Sequence, residues 1–364
     1  MSASTSSSGV IPENKLKLWD IFRNVGADGE EILKTAKLAH VANNKEGFVV
    51  TMADDTYSSI RENPRAPGVC KVSKIRELSG IRVNDFFTAE INFAITEDGR
   101  LYSWASEISR DDDYGEDYVG HEQDIVNQLG RYVSSDAADK IALCCRPAPV
   151  EEGSLMRVKV RQVAFSGGIT TYTVALSVGG DVHQWGSKRN LYRPICDCWT
   201  PTLIPRERFD YQEVISVTCI EHMGVALTAK GQLYQWKLRD MMSQKVLIDG
   251  SGPLKKITGS YDLIFALTDK GDMHYLEVNV MPGISYDNFQ VFSQQIFEVF
   301  SENIKTLFFT DFRSDILRTP YFAYSVLRPS AHTPYSGRAV YVLQVRGYPI
   351  YASKLTDAKP SNKK

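Results

Sequence analysis

One pattern of apolar and polar positions recurs along the chain: a small or branched residue, an aliphatic, two or three polar residues, a glycine, then an aromatic. It reads Ala94-Ile-Thr-Glu-Asp-Gly99-Arg-Leu-Tyr102-Ser-Trp104 and returns as Ala175-Leu-Ser-Val-Gly-Gly180-Asp-Val-His183-Gln-Trp185. Further copies are Ala226-Leu-Thr-Ala-Lys-Gly231-Gln-Leu-Tyr234-Gln-Trp236 and Ala266-Leu-Thr-Asp-Lys-Gly271-Asp-Met-His274-Tyr275. A weaker one is Val342-Leu-Gln-Val-Arg-Gly347-Tyr-Pro-Ile-Tyr351, and an early one, Val49-Val50-Thr51-Met-Ala-Asp54-Asp55-Thr-Tyr57, carries Asp in place of Gly. In all six the first position lies five residues before the Gly or its substitute.

One copy predicts a β-hairpin. The apolar pair ends a strand, the polar residues and Gly make the turn, and the aromatic-rich stretch starts the next strand. Gly supplies positive φ without steric penalty, and Asp tolerates that region better than most residues. A second apolar run precedes four of the hairpins: Ile81–Phe87, Val158–Phe165, Val214–Ile220 and Leu254–Ile257. Three or four short strands repeated at roughly 40–50 residues predict an all-β fold, a β-propeller. A lone blade cannot bury both faces, so the copies are expected to form one ring. Two steps between copies are too long for one blade. The first contains Ser106 to Pro149, read as an insertion with helical potential; the second contains Phe289–Phe300, Leu307–Phe309 and Tyr321–Leu327, enough for a degenerate extra blade. Six blades fit and seven are favoured. A strand near the N-terminus, Leu38–Ala42, is expected to complete the final sheet. The expected organisation is a disordered Ser-rich stretch over 1–14, the propeller with a short helical or irregular lead-in over 15–355, the acidic insertion at 106–149, and a disordered tail over 356–364.

The string A-L-T-x-x-G-x-h-Y-x-W resembles the repeat of the regulator of chromosome condensation family. Leu16-Lys-Leu-Trp19-Asp-Ile-Phe22, followed by Ile32-Leu-Lys-Thr-Ala-Lys-Leu-Ala-His40, is similar to the start of proteins that join such a propeller to a BTB domain. The resemblance covers Trp19 to Tyr351. The family's glycine and histidine before the hairpin are largely missing here: Ile220-Glu-His222-Met-Gly has them out of place, and Gly259 stands one residue early. The resemblance implies a diverged, propeller-only relative whose ring binds proteins, among them small GTPases or chromatin in this family.

Composition bounds the function. The 364 residues are 43% hydrophobic and 24% charged, which supports a real core and excludes global disorder. Lys plus Arg is 42 against 44 for Asp plus Glu, a net charge of −2, which argues against direct nucleic-acid binding. No apolar run is long enough to span a bilayer, and the Ser-rich start has no apolar signal core, so a cytoplasmic or nuclear protein is expected. Cys70, Cys144, Cys145, Cys196, Cys198 and Cys219 read as free thiols in a reducing compartment. Cys196 and Cys198 with His183 do not have the spacing of a structural zinc site.

No phosphate loop, dinucleotide fingerprint, zinc-protease helix or nucleophile elbow is present, so no catalytic residue, cofactor or metal is assigned. His183 and His274 take the place that Tyr102 and Tyr234 take in other copies, which reads as structural. Trp104, Trp185 and Trp236 recur five residues past the glycine, as blade-to-blade packing requires. The distinctive local feature is 107–124. Eight acids against Arg110 give it −7; since the chain totals −2, the remainder carries +5. Asp111, Asp112, Asp113, Glu116 and Asp117 are the candidate contacts for a basic protein partner, against the plainer reading of a solvated loop. Asp111, Asp113 and Asp117 lack the later Glu of a calcium loop. The expected function is a non-enzymatic protein-interaction scaffold; the alternative is a guanine-nucleotide exchange factor or effector for a Ran-like small GTPase.

Overall fold

Each repeat forms strands because branched and aromatic residues alternate on a short segment bounded by turn chemistry. The computed structural model describes residues 9–42, 46–61, 68–88, 91–106, 126, 128–134, 140–166, 170–188, 197–220, 223–237, 243–246, 252–260, 263–270, 273–277 and the pairs 290–291, 344–345 and 348–349. The chain begins with three short helices, α1 (Glu13–Leu16), α2 (Asp20–Arg23) and α3 (Gly26–Leu33).

Five antiparallel four-stranded sheets follow, each with its strands in chain order. The first holds β1 (Ala36–Val41), β2 (Glu46–Thr51), β3 (Thr56–Ile60) and β4 (Lys71–Lys74). The second holds β5 (Val83–Thr88), β6 (Ile91–Thr96), β7 (Leu101–Ala105) and β8 (Ala148–Pro149), and helix α4 (Lys140–Cys145) lies between β7 and β8. The third holds β9 (Val160–Ser166), β10 (Thr170–Ser177), β11 (Val182–Lys188) and β12 (Asp197–Ile204). The fourth holds β13 (Val214–Ile220), β14 (Met223–Thr228), β15 (Leu233–Lys237) and β16 (Gln244–Val246). The fifth holds β17 (Leu254–Ser260), β18 (Leu263–Thr268), β19 (Met273–Glu277) and β20 (Gln290–Val291). A sixth, two-stranded ladder pairs β21 (Gln344–Val345) with β22 (Tyr348–Pro349), at the weaker repeat copy.

The register repeats with the sequence. Val49 faces Tyr57, Ala94 faces Tyr102, Ala175 faces His183, Ala226 faces Tyr234 and Ala266 faces His274. The first strands of successive sheets pack side by side, β5 against β1 and β9, and β13 against β9 and β17. Four apolar clusters then fill the four seams between consecutive sheets, and a fifth joins the first sheet to α1–α3. Burial of both faces of each sheet is what a propeller requires, since a single blade has nothing else to cover it.

Residues 106–147 fall in sequence between the third and fourth strands of the second sheet, because Tyr102 pairs with Pro149 and Ser103 with Ala148; Ala148 and Pro149, expected within the insertion, are β8 itself. The expected closing strand is corrected: residues 36–41 form β1, paired to β2 as the first strand of the first sheet, where its apolar residues are already used. The Ser-rich residues 1–8, the tail 356–364 and, apart from Gln290–Val291, the apolar runs read as an extra blade lie outside the described residues.

Candidate functional site

The turns that give the repeat its signature lie together at one end of the sheets. Gly99, Gly180 and Gly231 have φ of +85°, +81° and +73°, and Asp54 takes the same place with φ +64°. In each turn the N–H of that residue donates to the carbonyl three positions earlier, on Thr51, Thr96, Ser177 or Thr228. The hydroxyl of the same Thr or Ser accepts the N–H four residues on, from Asp55, Arg100, Asp181 and Gln232. Sequence reading saw the Thr of A-L-T without a role; its recurrence was the signal for this side-chain clamp. Gly271 and Gly347 lie outside the described residues.

Each repeated tryptophan faces the preceding blade. Trp104 meets Phe48 edge-on at 5.6 Å and Trp185 meets Phe93 at 6.1 Å. The Trp236 Nε1–H donates to the Tyr172 hydroxyl at 2.5 Å and to Gln184 Oε1 at 2.9 Å. All three indoles are buried. Such rings add directional contacts to the area they remove from water.

The opposite end of the sheets carries the insertion, since β7 runs away from the Gly99 turn and ends at Ala105. Asp111, Asp112, Asp113, Glu116 and Asp117 lie outside the described residues. Both of the chain's attachments beside them are described. On the outgoing side, buried Ser106 donates from Oγ to Glu46 Oε2 at 2.8 Å, a link to the first blade. On the return side, Trp185 Nε1–H donates to the Gln128 carbonyl at 2.7 Å, and Ser103 Oγ donates to the Leu129 carbonyl at 2.7 Å. Arg131 is 7% exposed and its guanidinium donates to the carbonyls of Ser103, Leu143 and Arg146. Burial lowers its pKa, since desolvation penalises the cation. Val126, Leu129, Val133 and Cys144 share one apolar cluster with Trp185, Phe93 and Val163. The return limb is therefore core material between the second and third blades. Sequence reading did not find this footing; a lone Arg131 within an otherwise apolar-leaning stretch was its one visible sign.

His183 is buried, with Nδ1 2.8 Å from Ser154 Oγ. Burial drives its pKa down to about 4, against the opposing pull of Asp181. Cys70, Cys144 and Cys219 are buried free thiols and Cys145 is a half-buried one. Burial pushes the Cys219 thiol well up, away from nucleophilic use. Among the described residues no group of three His, Cys, Asp or Glu could hold a metal ion, and no helix is long and apolar enough to cross a membrane.

Consecutive meander sheets with adjoining first strands define a β-propeller. No model of a known protein family matches the chain. Over 146 residues it is 32% identical to the E3 ubiquitin-protein ligase HERC2 of Mus musculus and to that of Homo sapiens, a match covering 39% of this chain and 2% of either relative. The chain thus spans a small fraction of the curated relatives it matches. Among solved structures, human WBSCR16 is 16% identical with a TM-score of 0.47, over 65% of this chain and 61% of that one. Prp20p from Saccharomyces cerevisiae, described with its binding to Gsp1p and histones, is 13% identical with a TM-score of 0.44, over 69% and 62%. The repeat carried by these sheets resembles that of the regulator of chromosome condensation family of repeat propellers.

Proposed function

We propose that this propeller is a non-enzymatic protein-interaction scaffold, acting in the cytoplasm or the nucleus, which presents its acidic insertion to a basic protein partner. The observation that carries the reading is the double anchorage of the segment around 107–124. Ser106 is tied to Glu46 of the first blade, and Gln128, Leu129 and Arg131 are tied to the second and third. Loops fixed on a rigid frame are where binding concentrates. A charge of −7 on so short a stretch attracts cationic surfaces and raises their rate of encounter. The buried, high-pKa Cys219 and the neutral, enclosed His183 offer nothing a reaction could use.

Purified core histones serve as a basic probe and a Ran-type GTPase loaded with mant-GDP as the exchange probe. Replacing Asp111, Asp112, Asp113 and Asp117 by Asn and Glu116 by Gln is expected to weaken histone capture about tenfold, with an unchanged melting temperature. Equal capture by parent and variant would refute the contact role. Accelerated mant-GDP release would replace the scaffold by an exchange factor.

A further inference from the structure

The first blade lacks the tryptophan of the second, third and fourth, as does the fifth with Leu276, and in the first blade the lead-in makes up the difference. In the second, third and fourth sheets the repeat's tryptophan stands opposite Asn92, Thr173 and Gly224: Trp104, Trp185 and Trp236 in turn. The same place in the first sheet is Ser59, opposite Gly47. A side chain on Gly224 would collide with the ring of Trp236. A side chain on Gly47 would collide with a ring as well, but that ring is Phe22 of α2, whose Cζ lies 2.8 Å from the Cβ position. Ser59 Oγ donates to the Ile21 carbonyl at 2.7 Å, and the Cys70 N–H donates to the Asn24 carbonyl at 2.5 Å. Leu16, Ile21, Phe22, Val25 and Leu33 join Ala39, Val49 and Cys70 in one apolar cluster. Ala39 and Val49 lie on the face turned away from the second blade, because their chain neighbours Leu38, Phe48 and Val50 pack toward it.

We propose that α1–α3 are a detachable substitute for a neighbouring blade, with Phe22 filling the volume of the missing tryptophan, and that their release from the first sheet is the opening step built into this ring. The other described seams join sheet to sheet, with the insertion's return limb added between the second and third. This one is held by helices of four, four and eight residues, too short to be stable away from the sheet. Elements held by so few turns open below the cost of global unfolding. Release uncovers the apolar face of Ala39 and Val49, with Cys70 beside it.

Cys70 lies beneath α2, fully buried, and reports on release; Cys219, 3% exposed between the third and fourth blades, reports on the rest of the ring. The experiment alkylates native protein with iodoacetamide and follows each cysteine by peptide mass mapping. Phe22→Ala is expected to speed alkylation of Cys70 about tenfold and to leave Cys219 unchanged. Adding Ser59→Trp to Phe22→Ala is expected to restore slow alkylation, because the ring returns from the strand side. Parallel acceleration at both cysteines, acceleration at neither, or no rescue by Ser59→Trp overturns the proposal. Hydrogen exchange on the unaltered protein gives an arm independent of variant folding. The Cys70 amide is expected to exchange faster than the Val225 amide of β14, and equal protection of the two overturns the proposal.

Discussion

Two histidines and two tyrosines share one place three residues past the turn glycine, and His183 shows what that place does to a titratable ring. Burial holds its imidazole neutral with a pKa of about 4, against 6.5 for a free ring. Between those values the unfolded chain takes up a proton that the folded chain refuses. The stability involved is therefore whole above pH 6.5 and drains away as pH falls toward 4, a loss of about 3 kcal/mol. Urea melts at pH 7 and pH 4.5 are expected to show a smaller acid loss for His183→Tyr, which carries the residue found at this place in Tyr102 and Tyr234. Equal acid losses in parent and variant would place the titration elsewhere. Gly231 sets a second demand at this scale. With φ +73° and a Cβ position 2.7 Å from the Leu254 nitrogen, Gly231→Val meets both backbone strain and a backbone collision. Its melt is expected to shift by about 1–3 kcal/mol.

The hairpin is the element that could be read from the sequence, because all its determinants lie within eleven residues: the Thr clamp, the positive-φ glycine and the tryptophan. The insertion could not be read that way. Its footing rests on partners far along the chain, such as Trp185 and Gln128, 57 residues apart, and Ser106 and Glu46, 60 apart. The candidate acids were visible as a charge run, but nothing local distinguishes a tethered run from a free one. The misread closing strand has the same origin, since Leu38 to Ala42 has an apolar alternation that suits a first or a last sheet equally, and pairing with β2 decides it. Arg131 tests the footing. Arg131→Met keeps the apolar stem and strips the donors from the carbonyls of Ser103, Leu143 and Arg146. Buried acceptors left unmatched cost about 1–3 kcal/mol each at most, and a fall of about 2 kcal/mol in unfolding free energy is expected. A neutral result in urea melts would mean that these carbonyls find water instead.

Across the whole molecule, stability should be a property of seams rather than of blades. The second, third and fourth sheets share their apolar residues with both neighbours: Trp104 and Tyr102 point to the first blade while Phe93 and Ile95 point to the third. A four-stranded sheet with both faces apolar has little stability alone, so the energy resides in nearest-neighbour contacts. That arrangement sets which substitutions feel one another. Trp236 and Tyr172 meet in the seam between the third and fourth blades through a hydrogen bond from Nε1 to the hydroxyl. Trp104 sits two seams away, against Phe48. Paired substitutions of Trp236→Phe with Tyr172→Phe should therefore couple by about 1 kcal/mol, because the second change removes a bond already lost. Trp236→Phe with Trp104→Phe should add to within about 0.5 kcal/mol, because the two share no partner. Urea unfolding of the single and double variants measures both terms. Coupling of equal size in the two pairs would mean that strain passes through the blades as readily as between them, and the seam would no longer be the unit of stability.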